Sequence, residues 1–222
     1  MKRLYFVSGI DTDAGKSYAT GYLARKWRRE GIDVVTQKFI QTGCPDGAVS
    51  EDVALHRRIM GMELLPEDLD HTTCPVRFAC PASPDLAARL ENRRIDFAAI
   101  ERATERLLQL HQTVLLEGAG GLMAPLEGLY TTIDYIAERR LPLILVTNPR
   151  LGSVNHTLLS LEACRARGVE VEWLIYNMHP ETLPEITADT RLTLQRYLAL
   201  HHPRCLFMEV PYMQPGHCGG RG

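Results

Sequence analysis

Two lysines, two carboxylates and a serine are the residues of this 222-residue chain best suited to handling nucleotide phosphates. Lys16 and Ser17 close the segment Gly9-Ile10-Asp11-Thr12-Asp13-Ala14-Gly15-Lys16-Ser17, which follows the apolar run Leu4-Tyr5-Phe6-Val7. A glycine-bounded loop between strand and helix lets backbone N–H groups approach phosphate oxygens. The helix N-terminus adds partial positive charge, the lysine a full one, and the serine hydroxyl a ligand for Mg²⁺. Asp13, Ala14, Gly15, Lys16, Ser17 and Tyr18 form the predicted nucleotide-binding stretch. The usual motif has four residues between its first glycine and Gly-Lys-Ser, whereas Gly9 and Gly15 enclose five.

A phosphate loop needs a further acidic group for Mg²⁺, at the end of another strand on the same sheet edge. The run Thr113-Val114-Leu115-Leu116-Glu117 before Gly118-Ala119-Gly120-Gly121 fits, with Glu117 predicted to emerge where the strand ends. The glycines let backbone come close to a ligand at Gly120 and Gly121. Lys38 closes a second strand before the polar turn Thr42-Gly43. Two lysines converging on a triphosphate would stabilise charge on a transferring phosphoryl group. Asp52, early in the next helix, either complements the helix dipole or joins Ser17 and Glu117 at the Mg²⁺. Two loops, Cys80-Pro81-Ala82-Ser83-Pro84 and Arg150-Leu151-Gly152-Ser153-Val154-Asn155, read either as ordinary turns and helix caps or as ligand loops. Free N–H groups at the helix start in the second could bind a carboxylate.

These residues need a frame that brings strand ends together. Apolar, β-branched runs predict strands over 4–8, 34–38, 114–117, 143–147, 171–177 and 205–209. Amphipathic patterns predict helices over 16–30, 50–60, 84–92, 97–110, 132–139, 155–167 and 186–200. The alternation implies a single α/β domain over 1–212, with a mostly parallel central sheet and helices on both faces. Residues 213–222 read as a flexible Gly-rich tail, and 64–84 as an irregular substrate loop. A net charge of −2 gives no reason to expect nucleic acid or an anionic membrane as partner. No apolar run reaches the roughly 18 residues a membrane span needs, and a cytoplasmic protein is expected. The six cysteines form no Cys-x-x-Cys pair and read as reduced thiols. A metal site around His217 and Cys218 is the weaker alternative.

Taken together, the motifs resemble those of dethiobiotin synthetase. That family's Gly-Thr-Asp-Thr-x-x-Gly-Lys-Thr is similar to Gly9–Ser17, with the same five-residue interval. Its Lys-Pro-x-x-Ser/Thr-Gly resembles Lys38–Gly43, its pre-helical Asp matches Asp52, and its Pro-x-Ser-Pro matches Pro81–Pro84. Its Glu-Gly-Ala-Gly-Gly equals Glu117–Gly121, its Leu-Gly-x-Ile-Asn-His resembles Leu151–His156, and its strand-end Asn matches Asn177. The resemblance implies an ATP-dependent cyclo-ligase that closes the ureido ring of dethiobiotin from 7,8-diaminopelargonate and CO₂. It places Lys16 and Lys38 on phosphates and carbamate as the catalytic lysines, and Ser17, Asp52 and Glu117 on Mg²⁺. Thr12, Lys38, Thr42, Ser83, Gly120 and Gly121 would line the diamine site. Leu151, Gly152, Ser153 and Asn155 would hold the substrate carboxylate from the neighbouring subunit of a homodimer. Asn177 and Pro211 would contact the nucleotide base. Phe39, Ile10 and Asp85 depart from the family's usual proline, threonine and histidine.

Three rivals remain at this level. An amidoligase making acyl-phosphates usually carries a glutaminase domain, for which the chain has no room. A dimeric partitioning or positioning ATPase carries an extra lysine early in the phosphate loop, and the five residues here include none. A non-catalytic nucleotide-binding subunit would have little need of Lys16, Lys38, Asp52 and Glu117 together.

Overall fold

A computed structural model describes residues 2–211. Six parallel strands form one sheet in the order β2-β3-β1-β6-β7-β8. They are β1 (Arg3–Gly9), β2 (Val34–Lys38), β3 (Thr113–Gly121), β6 (Leu143–Thr147), β7 (Val171–Asn177) and β8 (Leu206–Val210). A short antiparallel hairpin, β4 (Pro125–Glu127) with β5 (Tyr130–Thr131), stands apart. The helices are α1 (Lys16–Arg29), α2 (Glu51–Met60), α3 (Pro66–Leu69), α4 (Pro84–Leu90), α5 (Phe97–Leu110), α6 (Thr132–Glu138), α7 (Ser153–Ala166) and α8 (Pro184–His201).

Alternate side chains along each strand feed two cores, as period-two geometry requires. Phe6, Leu116, Leu145, Leu174 and Tyr176 face one side, packed with Ile100 of α5, Ile133 and Ile136 of α6, Leu161 of α7 and Leu194 of α8. Tyr5, Val7, Leu115, Ile144, Val146 and Ile175 face the other, packed with Ala19, Leu23, Ala24 and Trp27 of α1. Burial on both faces is why these strands are continuous apolar runs. Phe39 lies in the first core, 4.7 Å from Tyr135 and 5.4 Å from Phe6 between ring centroids. The aromatic cluster accounts for the residue that departs from proline.

Several boundaries differ from the sequence reading. β3 runs on through the glycines to Gly121, because Gly9 of β1 pairs with Gly121 after a register shift. β8 begins at Leu206. α7 starts at Ser153, with Gly152 as a left-handed N-cap at φ 90°, and α8 starts on Pro184, a favoured first-turn proline. The stretch 64–84 is less irregular than expected: α3 lies within it, and Arg77 bridges to Gln41. Tail residues 213–222, with His217 and Cys218, lie outside the described residues.

Candidate functional site

The phosphate loop follows from the ends of three strands. β1 delivers Gly9, where a Cβ would stand 2.9 Å from Ala14 Cβ and from the Asp11 carbonyl oxygen, so glycine is needed for the turn. Asp11 Oδ1 accepts from Thr12 N at 2.7 Å and caps a single 3₁₀ turn over Thr12–Ala14. Gly15 then takes φ 83° before α1. The fifth residue between the glycines is accommodated by this extra turn. The next strand ends clamp it: Asn148 Nδ2 donates to the Asp13 carbonyl (3.2 Å), and Asn177 Nδ2 to the Ala14 carbonyl (3.3 Å). Arg150 pairs with Asp11 Oδ2 at 2.8 Å. Nothing in the spacing of the chain singled out Asn148, and Arg150 was named only as the first residue of a candidate ligand loop.

Ser17, on the first turn of α1, is where the acidic groups converge. Its hydroxyl oxygen is 2.9 Å from Asp52 Oδ1 and 2.8 Å from Glu117 Oε1. Lys38 Nζ joins the same carboxylates, 2.5 Å from Asp52 Oδ2 and 2.7 Å from Glu117 Oε1, and donates to the Gly118 carbonyl at 3.2 Å. The register explains the pairing: Lys38 and Val7 both sit opposite Glu117, on the strands flanking β3. Ser50 begins α2 by accepting from Val53 N, which sets Asp52 in the first turn. Asp52 is therefore more than a dipole-complementing surface acid.

Glu117 does not emerge at a strand end as its sequence position suggested. It is mid-strand and wholly buried. A buried carboxylate needs compensation. Burial pushes its pKa up, but Lys38 and then His56 outweigh this and hold it well below the ordinary carboxylate range. Burial likewise opposes the Lys38 charge, while Glu117 and Asp52 more than restore it, so its pKa is raised. Lys16 is different. Burial, then repulsion from Lys38, bring its pKa down to about 8, against the pull of Glu117 and Asp52. Its ammonium donates within its own loop, to the carbonyls of Asp11 (2.9 Å) and Thr12 (3.1 Å).

A cavity of about 620 Å³ opens beside this cluster. The phosphate loop supplies Ile10, Asp11 and Thr12, the β2–α2 loop Thr42, and the turn before α4 residues Pro81 to Pro84. Gly120 and Gly121 of β3 form another wall, and Leu159, Ser160 and Ala163 of α7 a further one. Thr12, Thr42, Ser83, Gly120 and Gly121 thus come together around one cavity, while only the C-terminal end of 64–84 reaches the lining. Lys16 and Lys38 lie under the loops rather than in the lining. Asp85 turns away to Gly128 N (3.0 Å) and Arg89 (3.1 Å). Leu151, Gly152 and Asn155 are exposed and outside the cavity, and buried Ser153 keeps a hydroxyl with no partner. A second cavity of about 560 Å³ includes Pro211 and Met178 in its walls, next in sequence to Asn177.

His56 is a further polar residue that sequence reasoning missed. It is wholly buried, with Nε2 2.7 Å from Glu117 Oε2. Its signal was present in the four-residue spacing from Asp52, which puts both on one face of α2. The five described cysteines are all free thiols, and burial pushes Cys74 and Cys164 up to about 12. No helix among the described residues is long and apolar enough to cross a membrane.

Comparison with known proteins bears on the chemistry. The family described as an AAA domain matches residues 3–215. The ATP-dependent dethiobiotin synthetase of Haemophilus ducreyi is 49% identical over 208 residues, covering 94% of this chain and 98% of that protein. Its namesake in Haemophilus influenzae is 52% identical over 181 residues, covering 82% and 94%. The one from Chlorobaculum tepidum is 50% identical over 195 residues, covering 86% and 81%. Among solved structures, the signal recognition particle receptor of Elizabethkingia anophelis superposes with a TM-score of 0.52 at 15% identity, covering 96% of this chain and 60% of that one. That likeness carries the fold alone.

Proposed function

Because the chain belongs to the ATP-dependent dethiobiotin synthetase family, we propose that the Ser17–Lys38–Asp52–Glu117 cluster beside the 620 Å³ cavity is where it closes the ureido ring. The protein is a ligase of biotin biosynthesis with ATP as co-substrate. One amine of 7,8-diaminopelargonate takes up CO₂ as a carbamate. A carbamate oxygen attacks the γ-phosphorus of ATP, ADP leaves, and a carbamic-phosphoric anhydride forms. The second amine attacks its carbonyl carbon, and phosphate departs as the ring closes.

The protein positions and neutralises; it contributes no nucleophile. The phosphate loop cradles the nucleotide through its N–H groups, with Lys16 on the phosphates. Lys38 stands between the two carboxylates, beside Ser17 of the phosphate loop, to stabilise charge on carbamate and phosphoryl oxygens. Ser17, Asp52 and Glu117 would hold Mg²⁺. Their hydroxyl and carboxylate oxygens are hard donors within one hydrogen bond of each other, which suits an ion that binds one or two carboxylates, water and substrate phosphate. Among the described residues no cluster of three or more acidic, His or Cys side chains could cage a metal unaided. The ion's contribution when bound is neutralisation of phosphate charge.

Thr12, Thr42 and Ser83 supply hydroxyls or backbone along the cavity for the diamine. The unpartnered Ser153 hydroxyl and the free N–H groups at the start of α7 support a carboxylate contact there. The exposure of Leu151, Gly152 and Asn155 away from the cavity suits service to a neighbouring subunit's diamine, hence a homodimer. The second cavity, walled by Pro211 and by Met178 next to Asn177, supports a base contact at this end of β7. The cytoplasm is the compartment this reading expects.

The observation that carries this reading is Lys38 bridging Asp52 and Glu117 beside Ser17. The test is ATP turnover with and without the diamine and bicarbonate, using wild type and Lys38→Gln. Turnover strictly dependent on the diamine, and lowered about 100-fold or more by Lys38→Gln, is expected. Near wild-type ring closure by folded Lys38→Gln protein would sink the assignment. Turnover stimulated by DNA or membranes instead would favour a switch ATPase.

A further inference from the structure

His56 touches neither nucleotide nor diamine in the reading above, yet it is wholly buried and bonded through both ring nitrogens. Nε2 lies 2.7 Å from Glu117 Oε2, and Nδ1 3.0 Å from Thr36 Oγ1. Thr36 Oγ1 is itself 2.8 Å from Arg57 Nη1, also buried. An ionised glutamate can only accept and an arginine only donate. With a neutral imidazole the protons therefore run one way: Arg57 to Thr36, Thr36 to Nδ1, Nε2–H to Glu117.

The two oxygens of Glu117 are thereby given separate tasks. Oε1 meets Ser17 (2.8 Å) and Lys38 (2.7 Å), and Oε2 meets His56. Without a donor at Oε2 the carboxylate would keep one oxygen buried and unsatisfied, or turn both toward the Lys38 ammonium. The first outcome is costly, and relief of it by the second moves Oε1 from Ser17. Loss of a group that orients a metal ligand in this way typically costs about 10–100-fold in metal affinity or activity.

We propose that His56 is a positioning residue of the phosphoryl-transfer centre: anchored by Thr36 and Arg57, it holds Oε2 of Glu117 so that Oε1 alone faces Ser17, Lys38 and the divalent cation. This rests on the functional reading of Ser17, Asp52 and Glu117. Two polar substitutions separate positioning from packing. The amide of His56→Gln reaches the place of Nε2 and can still donate to Glu117. That of His56→Asn reaches only the place of Nδ1, so it keeps Thr36 and loses Glu117.

The measurement is Mn²⁺ binding to the ADP-loaded protein, read from loss of the free-ion EPR signal. It is paired with the Mg²⁺ concentration for half-maximal ring closure and the KM for the diamine. His56→Asn is expected to weaken Mn²⁺ binding about 10-fold or more and to raise the Mg²⁺ requirement in step, with the diamine KM unchanged. His56→Gln is expected to lie close to wild type in all three. If the two variants bind Mn²⁺ alike, His56 is core packing and the inference fails. If neither melts cooperatively, Thr36→Val decides, since it removes the hydroxyl facing Nδ1 while keeping the side-chain shape: undiminished Mn²⁺ binding overturns the inference. Absence of Mn²⁺ binding by the wild type refutes the metal role of Ser17, Asp52 and Glu117, and the inference with it. Wild-type binding with indifferent variants refutes the inference alone.

Discussion

Replacing Asp68 by asparagine should cost this protein a large part of its stability, and the structure says why. Asp68 and Arg57 are each about 1% exposed. Asp68 Oδ2 accepts from Arg57 Nε (2.9 Å) and Leu65 N (2.7 Å), and Oδ1 from Arg57 Nη2 (2.9 Å) and Thr73 Oγ1 (2.8 Å). All four acceptor positions are filled by donors. An asparagine amide must point its NH₂ at one donor pair, losing those bonds, while the guanidinium stays buried without its counter-charge. Breaking one side of such a pair costs about 3–5 kcal/mol, and at about 2–4 °C per kcal/mol for a domain of this size Tm falls by roughly 10 °C. Urea unfolding measures the loss directly. The double variant Arg57→Met/Asp68→Leu removes both charges and should cost less than Asp68→Asn alone. The effect extends to the site, because the Thr73 carbonyl accepts from Lys38 N at 2.7 Å. A loosened Thr73 lowers ring closure by more than the unfolded fraction explains. A loss below about 1 kcal/mol, or a double variant costing the sum of its singles, would refute the buried-pair argument.

Two further outcomes follow from the phosphate loop. Gly15→Ala places a Cβ 2.0 Å from Asn177 Nδ2 at φ 83°; it should displace the amide that holds the Ala14 carbonyl and cost about 1–3 kcal/mol in strain. Calorimetric titration should then find no measurable ATP binding, and wild-type affinity would contradict the loop's geometry. Lys16 titrates near 8 in the fold against an ordinary 10.5, so between those values the unfolded chain holds the extra proton and stability rises with pH. At about 1.36 kcal/mol per unit the rise is about 3 kcal/mol. In metal-free buffer, wild type should gain this amount over Lys16→Met between pH 8 and 10.5; parallel urea-stability profiles would contradict it. The hydrogen bonds lost in the variant shift its curve without changing the slope.

Most of the fold was legible because its rules are local. β6 and β7 have the bounds expected from their apolar runs, since strands covered by helices on both faces are largely apolar; β2 also keeps its expected bounds, although its second half, Thr36-Gln37-Lys38, is polar and buried. The β4–β5 hairpin was not legible, being two or three residues per strand with a proline at its start. Glu117 was expected where its strand ends and lies in the middle of β3. The glycines after it were placed beyond the strand, as backbone that nears a ligand, yet they continue the strand because Gly121 pairs with Gly9. Gly118 must be glycine there for a reason no spacing reveals: a Cβ would lie 2.7 Å from the Phe6 ring.

By itself the sequence determined the chemistry on offer: a strand-to-helix phosphate loop, two lysines, and two carboxylates. Those assignments depend on residue type and short spacing, which survive in one dimension. The tertiary structure alone decided which of these groups meet. Ser17 reaches Glu117 across 100 residues and His56 reaches it across 61. Such contacts are set by the register of β2 and β1 against β3 and by the rotation of α2. The same register turned a strand-end acid into a buried carboxylate that depends on Lys38 and His56, because a charge removed from water persists only where partners are built around it.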